Sequence, residues 1–210
     1  MDEQRSFKER VKEMLISYAQ DYKAYYVNYE YLLCSKAFKN NSYYIVSAHE
    51  DNYLHLTGVH TTLSASVFFQ KCYEGTLEEQ DFDFIKEGQS ESEVKGSVRR
   101  KINALAGIMG LFSGGTIVEE DFVKNRIRCA LATSDTNVTL GFVVVGKAKP
   151  MTLLKGNELH AEKAQGLELV LRKTCEECNF TEIIVGGEAT LREYKDNLGS
   201  LVSESLYKNE

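Results

Sequence analysis

The amino-acid sequence predicts an α+β fold in which N-terminal helices precede an antiparallel sheet of four or more strands and a helix ends the chain. Apolar side chains recur at steps of three and four over residues 3–35 and over residues 91–112, which is the spacing of amphipathic helices. After residues 114 and 115, both glycine, short β-prone runs follow one another with only turns between them. Because this spacing leaves no room for helical crossovers, we expect the strands to pair antiparallel.

The composition is that of a folded chain with a substantial core. It has 210 residues, 43% of them hydrophobic, and the single proline, Pro150, marks no linker. We therefore predict one domain, residues 39–210, preceded by a helical extension over residues 1–38. The N-terminus is charged and no stretch is long enough to span a bilayer, which predicts a cytoplasmic protein without membrane contact. Five cysteines without regular spacing fit reduced thiols.

The first helix is predicted over residues 3–35, a range without glycine or proline. At 1.5 Å per residue it would reach about 50 Å, which is long for a globular domain. This length predicts either a break or a surface for a second copy or another protein. The tyrosines on its apolar stripe fit two roles, stacking on bases of single-stranded nucleic acid or packing as core.

The next segment, residues 43–60, holds three of the four histidines and is predicted to form a hairpin. A β-prone run over residues 43–48 is followed by a polar turn and a second short apolar run over residues 53–57. Period-two alternation places His55 and Thr57 on one face of that second strand. Because histidine titrates near neutrality, His55 and the following His60 are candidates for acid-base chemistry. The competing interpretation is a structural role for each of them.

Two further helices follow. Ser64 and Gly75 are typical boundary residues for a helix over residues 64–73, and an acidic helical turn is predicted over residues 77–84. The helix over residues 91–112 turns a basic cluster away from its apolar stripe. This cluster fits either a phosphate clamp or an ordinary solvated face, and its members are Arg99, Arg100 and Lys101.

Strands are predicted over residues 116–118, 125–133, 138–148, 151–154, 167–172 and 182–185, and a terminal amphipathic helix over residues 189–207. Arg126 and Arg128 lie on one side of their strand, so one sheet face is expected to be basic. The net charge of −6 argues against a protein that coats nucleic acid through bulk electrostatics, although residues 95–128 are locally basic.

No metal or cofactor site is predicted. Cys175 and Cys178 form a lone CxxC pair without a second ligand pair at zinc-site spacing. The sequence also contains no Walker, Rossmann or GxSxG signature.

Four segments resemble one family of nucleases. They are His55-Leu56-Thr57-Gly58-Val59, Phe68-Phe69, Ser97-Val98-Arg99-Arg100-Lys101 and Leu153-Leu154-Lys155-Gly156-Asn157. Together they resemble the fourth branch of the phage-associated barnase-EndoU-colicin-RelE-like nuclease group, over about residues 42–186. The resemblance implies a metal-independent RNase-type fold with a curved antiparallel sheet, an active site on its concave face, and an origin in phages or prophage-like loci.

The resemblance and the residue pattern together give a set of predicted catalytic residues. A metal-independent RNase needs a base for the ribose 2′-hydroxyl and an acid for the leaving 5′-oxygen. His55 is the predicted acid or base, Thr57 its hydrogen-bonding partner, and His60 the second proton carrier. Arg126 or Arg128, together with Lys155, is predicted to stabilise the phosphorane charge.

Phosphate contacts are predicted from Arg99, Arg100, Lys101 and Arg128, and more weakly from Ser134 and Thr136. RNA is therefore the expected partner. The alternative is a non-catalytic module that uses the same groove to bind RNA or a protein, with the N-terminal helix as its partner surface.

Overall fold

The computed structural model describes residues 5–208, in which helices pack on a curved sheet of nine strands. The predicted α+β class is confirmed. Residues 1–4, where the predicted first helix begins, and residues 209 and 210, where the predicted domain ends, lie outside the described residues. Within the described part, no helix has both the length and the apolar character needed to cross a bilayer.

The first helix is shorter than predicted. Helix α1 spans Phe7–Tyr22 and begins with a capping box between Ser6 and Glu9. It continues as one π-helical segment over Lys23–Val27, and strand β1 then runs over Tyr29–Cys34. The prediction of one helix to residue 35 was wrong, because pairing with strands on both sides draws residues 29–34 into the sheet.

The predicted hairpin after β1 is half correct. Strand β2 covers Tyr44–Ser47, but the second apolar run forms helix α2, Asn52–Thr57. Tyr53 and Leu56 are buried on one side of it, three residues apart, as helical spacing requires. The strand prediction was wrong because five residues of mixed polarity fit both the two-residue period of a strand and the 3.6-residue period of a helix. In a helix, His55 and Thr57 no longer share a face.

The other two helices are confirmed. Helix α3 spans Ala65–Glu74 and helix α4 spans Glu91–Ile108, each with a serine N-cap that accepts a hydrogen bond from a backbone N–H. The acidic turn between them is a short 3₁₀ helix, Glu79–Asp81.

Four strands form the predicted antiparallel meander. They are β3 Ile117–Lys124, β4 Ile127–Ser134, β5 Val138–Val145 and β6 Lys147–Lys155. Strand β6 then pairs in parallel with β2, which joins the meander to the rest of the sheet. The remaining strands are β7 Gln165–Gly166, β8 Leu169–Thr174 and β9 Glu182–Val185, and the spatial order is β7-β3-β4-β5-β6-β2-β1-β8-β9.

The C-terminal helix is present but segmented. Helices α5, Glu188–Glu193, and α6, Lys195–Leu198, are followed by 3₁₀ turns at Gly199–Leu201 and Glu204–Tyr207. Leu191, Tyr194 and Leu198 pack with Leu32 and Phe180 in a core cluster of their own.

The apolar stripe of α1 is buried in the main core. Val11, Leu15, Ala19 and Tyr22 are at most 2% exposed and belong to the same cluster as α3, α4 and the sheet. Intramolecular packing therefore accounts for the stripe that predicted a partner surface. A dimer through this helix stays a prediction.

Candidate active site

A cavity of about 550 Å³ opens where α2, α4 and β6 meet the segment that follows the acidic turn. The residues lining it include four side chains that can carry a positive charge, namely His55, His60, Lys86 and Lys101, and one carboxylate, Glu87. The histidine segment and Lys101 of α4, which are about 40 residues apart in sequence, thus meet at one place. An open cavity with convergent polar groups is a typical binding or active site.

His60 is oriented by a carboxylate. Its Nδ1 lies 2.8 Å from Asp83 Oδ1, and the two residues also exchange backbone hydrogen bonds of 3.1 and 2.8 Å. Because a carboxylate only accepts hydrogen bonds, Nδ1 carries a proton, and in the neutral imidazole Nε2 then keeps its lone pair. The side chain is 51% exposed, so Nε2 is accessible to a ligand. A histidine held in this way can act in proton transfer.

Lys101 reaches the cavity from beneath the end of α2. Its Nζ donates a hydrogen bond of 2.8 Å to the carbonyl oxygen of His55. Its aliphatic chain passes Gly58, where an added Cβ would lie 2.8 Å from Lys101 Cδ. Burial and the positive charge of Lys86 lower the pKa of Lys101 to about 8. The ammonium group therefore loses its proton at a pH well below that of an ordinary lysine.

His55 occupies the last turn of α2 with its ring exposed at the cavity. The hydrogen bond from Lys101 fixes its backbone carbonyl, and Gly58 ends the helix with a φ of 76°. This sharp turn requires glycine, because other residues rarely adopt positive φ. It brings His60 back to the same cavity as His55.

Thr57 does not face the cavity. It is fully buried, its hydroxyl donates to the carbonyl of Leu54 at 2.8 Å, and it accepts from the N–H of Val59 at 3.4 Å. The prediction that Thr57 projects beside His55 was wrong, because these two residues lie on a helix and not on a strand. Its hydroxyl instead stabilises the turn at Gly58.

The predicted arginines lie elsewhere. Arg99 stacks over the ring of Phe7 at 5.2 Å, and Arg100 is exposed outside the cavity. Arg126 and Arg128 are exposed on the β3–β4 hairpin, whose Lys124 forms an ion pair with Glu158. The structure does not bring these arginines together with His55.

The remaining predicted residues also lie outside the cavity. Lys155 is exposed at the end of β6, and Thr136 is exposed in the β4–β5 turn. Ser134 is fully buried, and its hydroxyl is hydrogen-bonded to Val138 O and Thr139 Oγ1. The prediction of a phosphate contact from Ser134 was wrong, because the side chain is inaccessible.

Asp83 and Lys86 were missed by the sequence analysis. Asp83 lies in the predicted acidic turn over residues 77–84, and Lys86 lies in the polar segment that follows it. The backbone bridge between His60 and Asp83 joins residues 23 positions apart, and no local pattern signals such a pairing. Buried Phe82 and Phe84, alternating with Asp83, are the only local indication of an ordered extended segment.

A second histidine is also paired with a carboxylate. His160 Nδ1 lies 2.8 Å from Glu119 Oε1, and its backbone N–H donates to Glu119 Oε2 at 2.8 Å. The Glu119 side chain is fully buried, and both of its oxygens hold the segment that follows β6 against β3. This pair lies outside the cavity and has an evident structural role.

Cys175 and Cys178 are exposed, the other three cysteines are buried, and all five are free thiols. Across residues 5–208, no group of three or more His, Cys, Asp or Glu side chains has an arrangement suited to a metal ion. Metal independence stays a prediction.

The helices precede a curved meander, and the cavity with its imidazoles and amines lies where the two meet. The chain belongs to the phage-Barnase-EndoU-ColicinE5/D-RelE like nuclease4 family, whose model matches residues 15–164. The match begins within α1 and ends before β8, whereas the resemblance predicted about residues 42–186. No curated protein and no solved structure matched the chain in the corresponding searches.

Proposed function

We propose that the protein is an endoribonuclease that cleaves RNA by attack of a ribose 2′-oxygen on the adjacent phosphorus. One observation carries the proposal: two imidazoles and two lysine amines converge on a single open cavity in a member of a nuclease family. The members of this set have complementary chemistry, since imidazoles transfer protons and amines stabilise phosphate charge.

His60 is the proposed general base. Its Nε2 takes the proton of the 2′-hydroxyl while Asp83 holds Nδ1–H and stabilises the imidazolium that forms. The 2′-oxygen then bonds to phosphorus and gives a pentacoordinate phosphorane. His55 is the proposed acid, which protonates the 5′-oxygen as its bond to phosphorus breaks. The products are a 2′,3′-cyclic phosphate and a 5′-hydroxyl.

Lys86 and Lys101 are the proposed electrostatic partners of the phosphorane. Lys86 is exposed at the cavity, whereas Lys101 is held in place by the His55 carbonyl and by packing against Gly58. An amine held in place before the reaction stabilises developing negative charge without reorganisation. These two lysines take the role that was predicted for Arg126, Arg128 and Lys155.

The test is incubation of the purified protein with end-labelled single-stranded RNA in EDTA, comparing wild type with His55→Ala and His60→Ala. We expect cleavage by wild type and a loss of about 10²-fold or more in each variant. His49→Ala is the matched control, because His49 is exposed and does not line the cavity. RNA that remains intact with wild type, or equal rates in all variants, would contradict the proposal. Binding without cleavage would instead favour the non-catalytic module.

A further inference from the structure

A second cavity, of about 350 Å³, adjoins the candidate active site. It shares Ile85 and Lys86 with the first cavity, so the two are separated only by this short segment. Its lining residues are Lys8, Asp83, Phe84, Ile85, Lys86, Gln89, Glu91 and Lys95. Three of these side chains are lysines, contributed by α1, by the shared segment and by α4.

Aromatic rings position two of these lysines. Lys8 Nζ lies 5.2 Å from the centroid of Phe82, and Lys95 Nζ lies 5.5 Å from that of Phe84. The two rings are buried and packed against each other at 5.9 Å, so the surface beneath the amines is rigid. A cation over a ring keeps its full charge and remains able to bind an anion.

The carboxylates that line this cavity already have partners. Asp83 is bound to His60, and Glu91 forms an exposed i,i+4 pair of 2.6 Å with Lys95. An exposed helical pair of this kind is weak, so a phosphate can displace the Glu91 carboxylate from Lys95.

We propose that this second cavity is a subsite for the backbone of single-stranded RNA on one side of the scissile phosphate. The inference rests on the proposed function and adds the substrate class, an extended strand and not a mononucleotide. Lys8 and Lys95 contact phosphates beyond the one that reacts. Lys95 and Lys101 are six residues apart on α4, about 9 Å along its axis, so they serve different phosphates.

Ile85 supports a single-stranded substrate. Its side chain is 68% exposed between the two cavities, so an apolar surface is accessible there. An unpaired base can lie against it, because a single strand exposes base faces that are stacked on neighbouring bases in a duplex.

The test measures binding of a fully 2′-O-methylated 12-nucleotide RNA, which lacks the attacking hydroxyl, by fluorescence anisotropy over a range of salt. The variant is Lys8→Gln/Lys95→Gln. Log affinity falls with log salt, and each phosphate contact on a single strand contributes about 0.7 to the magnitude of that slope. Loss of two contacts should therefore make the slope shallower by about 1.4. The matched control is Arg10→Gln/Lys39→Gln, which removes the same charge at exposed positions outside both cavities.

A slope that is unchanged in the double variant, or lowered equally in the control, would overturn the subsite. The ratio of kcat/KM for a 12-nucleotide RNA to that for a dinucleotide should also fall about tenfold in the double variant. Because the binding assay requires no turnover, the two proposals fail separately. Wild-type cleavage with an unchanged slope removes only the subsite, whereas a lowered slope without cleavage removes only the proposed reaction.

Discussion

At the scale of single residues, Asp83 determines what His60 can do. In Asp83→Asn, the amide can hydrogen-bond to Nδ1 as an acceptor or as a donor, so the tautomer with a free Nε2 is no longer enforced. We expect kcat to fall by about 10²-fold while the fold is kept, as measured by single-turnover cleavage and circular dichroism. His160→Ala removes a paired histidine outside the cavity and is the control. An unchanged kcat in Asp83→Asn would show that the pairing is only structural.

The lowered pKa of Lys101 predicts that kcat depends on pH. Its pKa is lowered to about 8, so its positive charge is nearly complete at pH 7 and mostly lost at pH 9. If that charge stabilises the phosphorane, kcat should fall as the pH rises through about 8. Lys101→Arg keeps a charge at all these pH values and should move the fall to higher pH. An alkaline limb that is identical in both proteins would exclude Lys101 as its source.

Gly58 both ends helix α2 and packs against the aliphatic chain of Lys101. Gly58→Ala places a side chain at a positive φ, which costs about 1 to 2 kcal/mol, and it also displaces Lys101 Cδ. Gly146→Ala is a matched control, because its φ of 70° carries the same cost, nothing lies within 4 Å of the added Cβ, and it lines neither cavity. We expect both variants to be less stable in urea unfolding and only Gly58→Ala to lose activity. Equal activity losses would contradict the proposed role of Lys101.

At the scale of elements, the sequence predicts best where local signals are complete. Helices α3 and α4 have serine N-caps and long apolar stripes, and both were predicted within a few residues of their ends. Strand β1 and helix α2 were mispredicted because each has six residues and fits more than one period. Their conformation depends on neighbours that are distant in sequence, such as β8 for β1.

The position of β1 predicts the effect of truncation. The sequence predicts an extension over residues 1–38 and a domain over residues 39–210. Strand β1 lies between β2 and β8, and α1 buries its stripe in the main core. We therefore expect a chain of residues 39–210 to unfold, as judged by loss of a cooperative thermal transition. A cooperative transition at the temperature of the full chain would support an independent domain.

The candidate site was predicted only in part, because the type of some residues is informative whereas the role of others depends on tertiary packing. His55, His60 and Lys101 were identified because their chemistry is visible in the sequence itself. Asp83 and Lys86 depend on where a loop packs, and residue type alone does not reveal that. The arginines of the β3–β4 hairpin show the converse, since their basic character says nothing about which surface they join.

At the scale of the whole molecule, the acidic net charge and an RNA substrate are compatible. The net charge of the chain is −6, whereas the two adjoining cavities together present four lysines, Lys8, Lys86, Lys95 and Lys101, against three carboxylates, Asp83, Glu87 and Glu91. Local positive potential attracts a polyanion even where the net charge is negative. Such a protein should bind RNA weakly outside these cavities, with a modest salt dependence.

The most direct test of the central claim uses a labelled DNA strand that contains a single ribonucleotide, incubated with the protein in EDTA. Only that nucleotide has the 2′-hydroxyl from which His60 is proposed to take a proton. We expect one cut, on the 3′ side of the ribonucleotide, with a 2′,3′-cyclic phosphate end, and no cut by His60→Ala. Cleavage of the matching all-DNA strand at the same rate would contradict the mechanism.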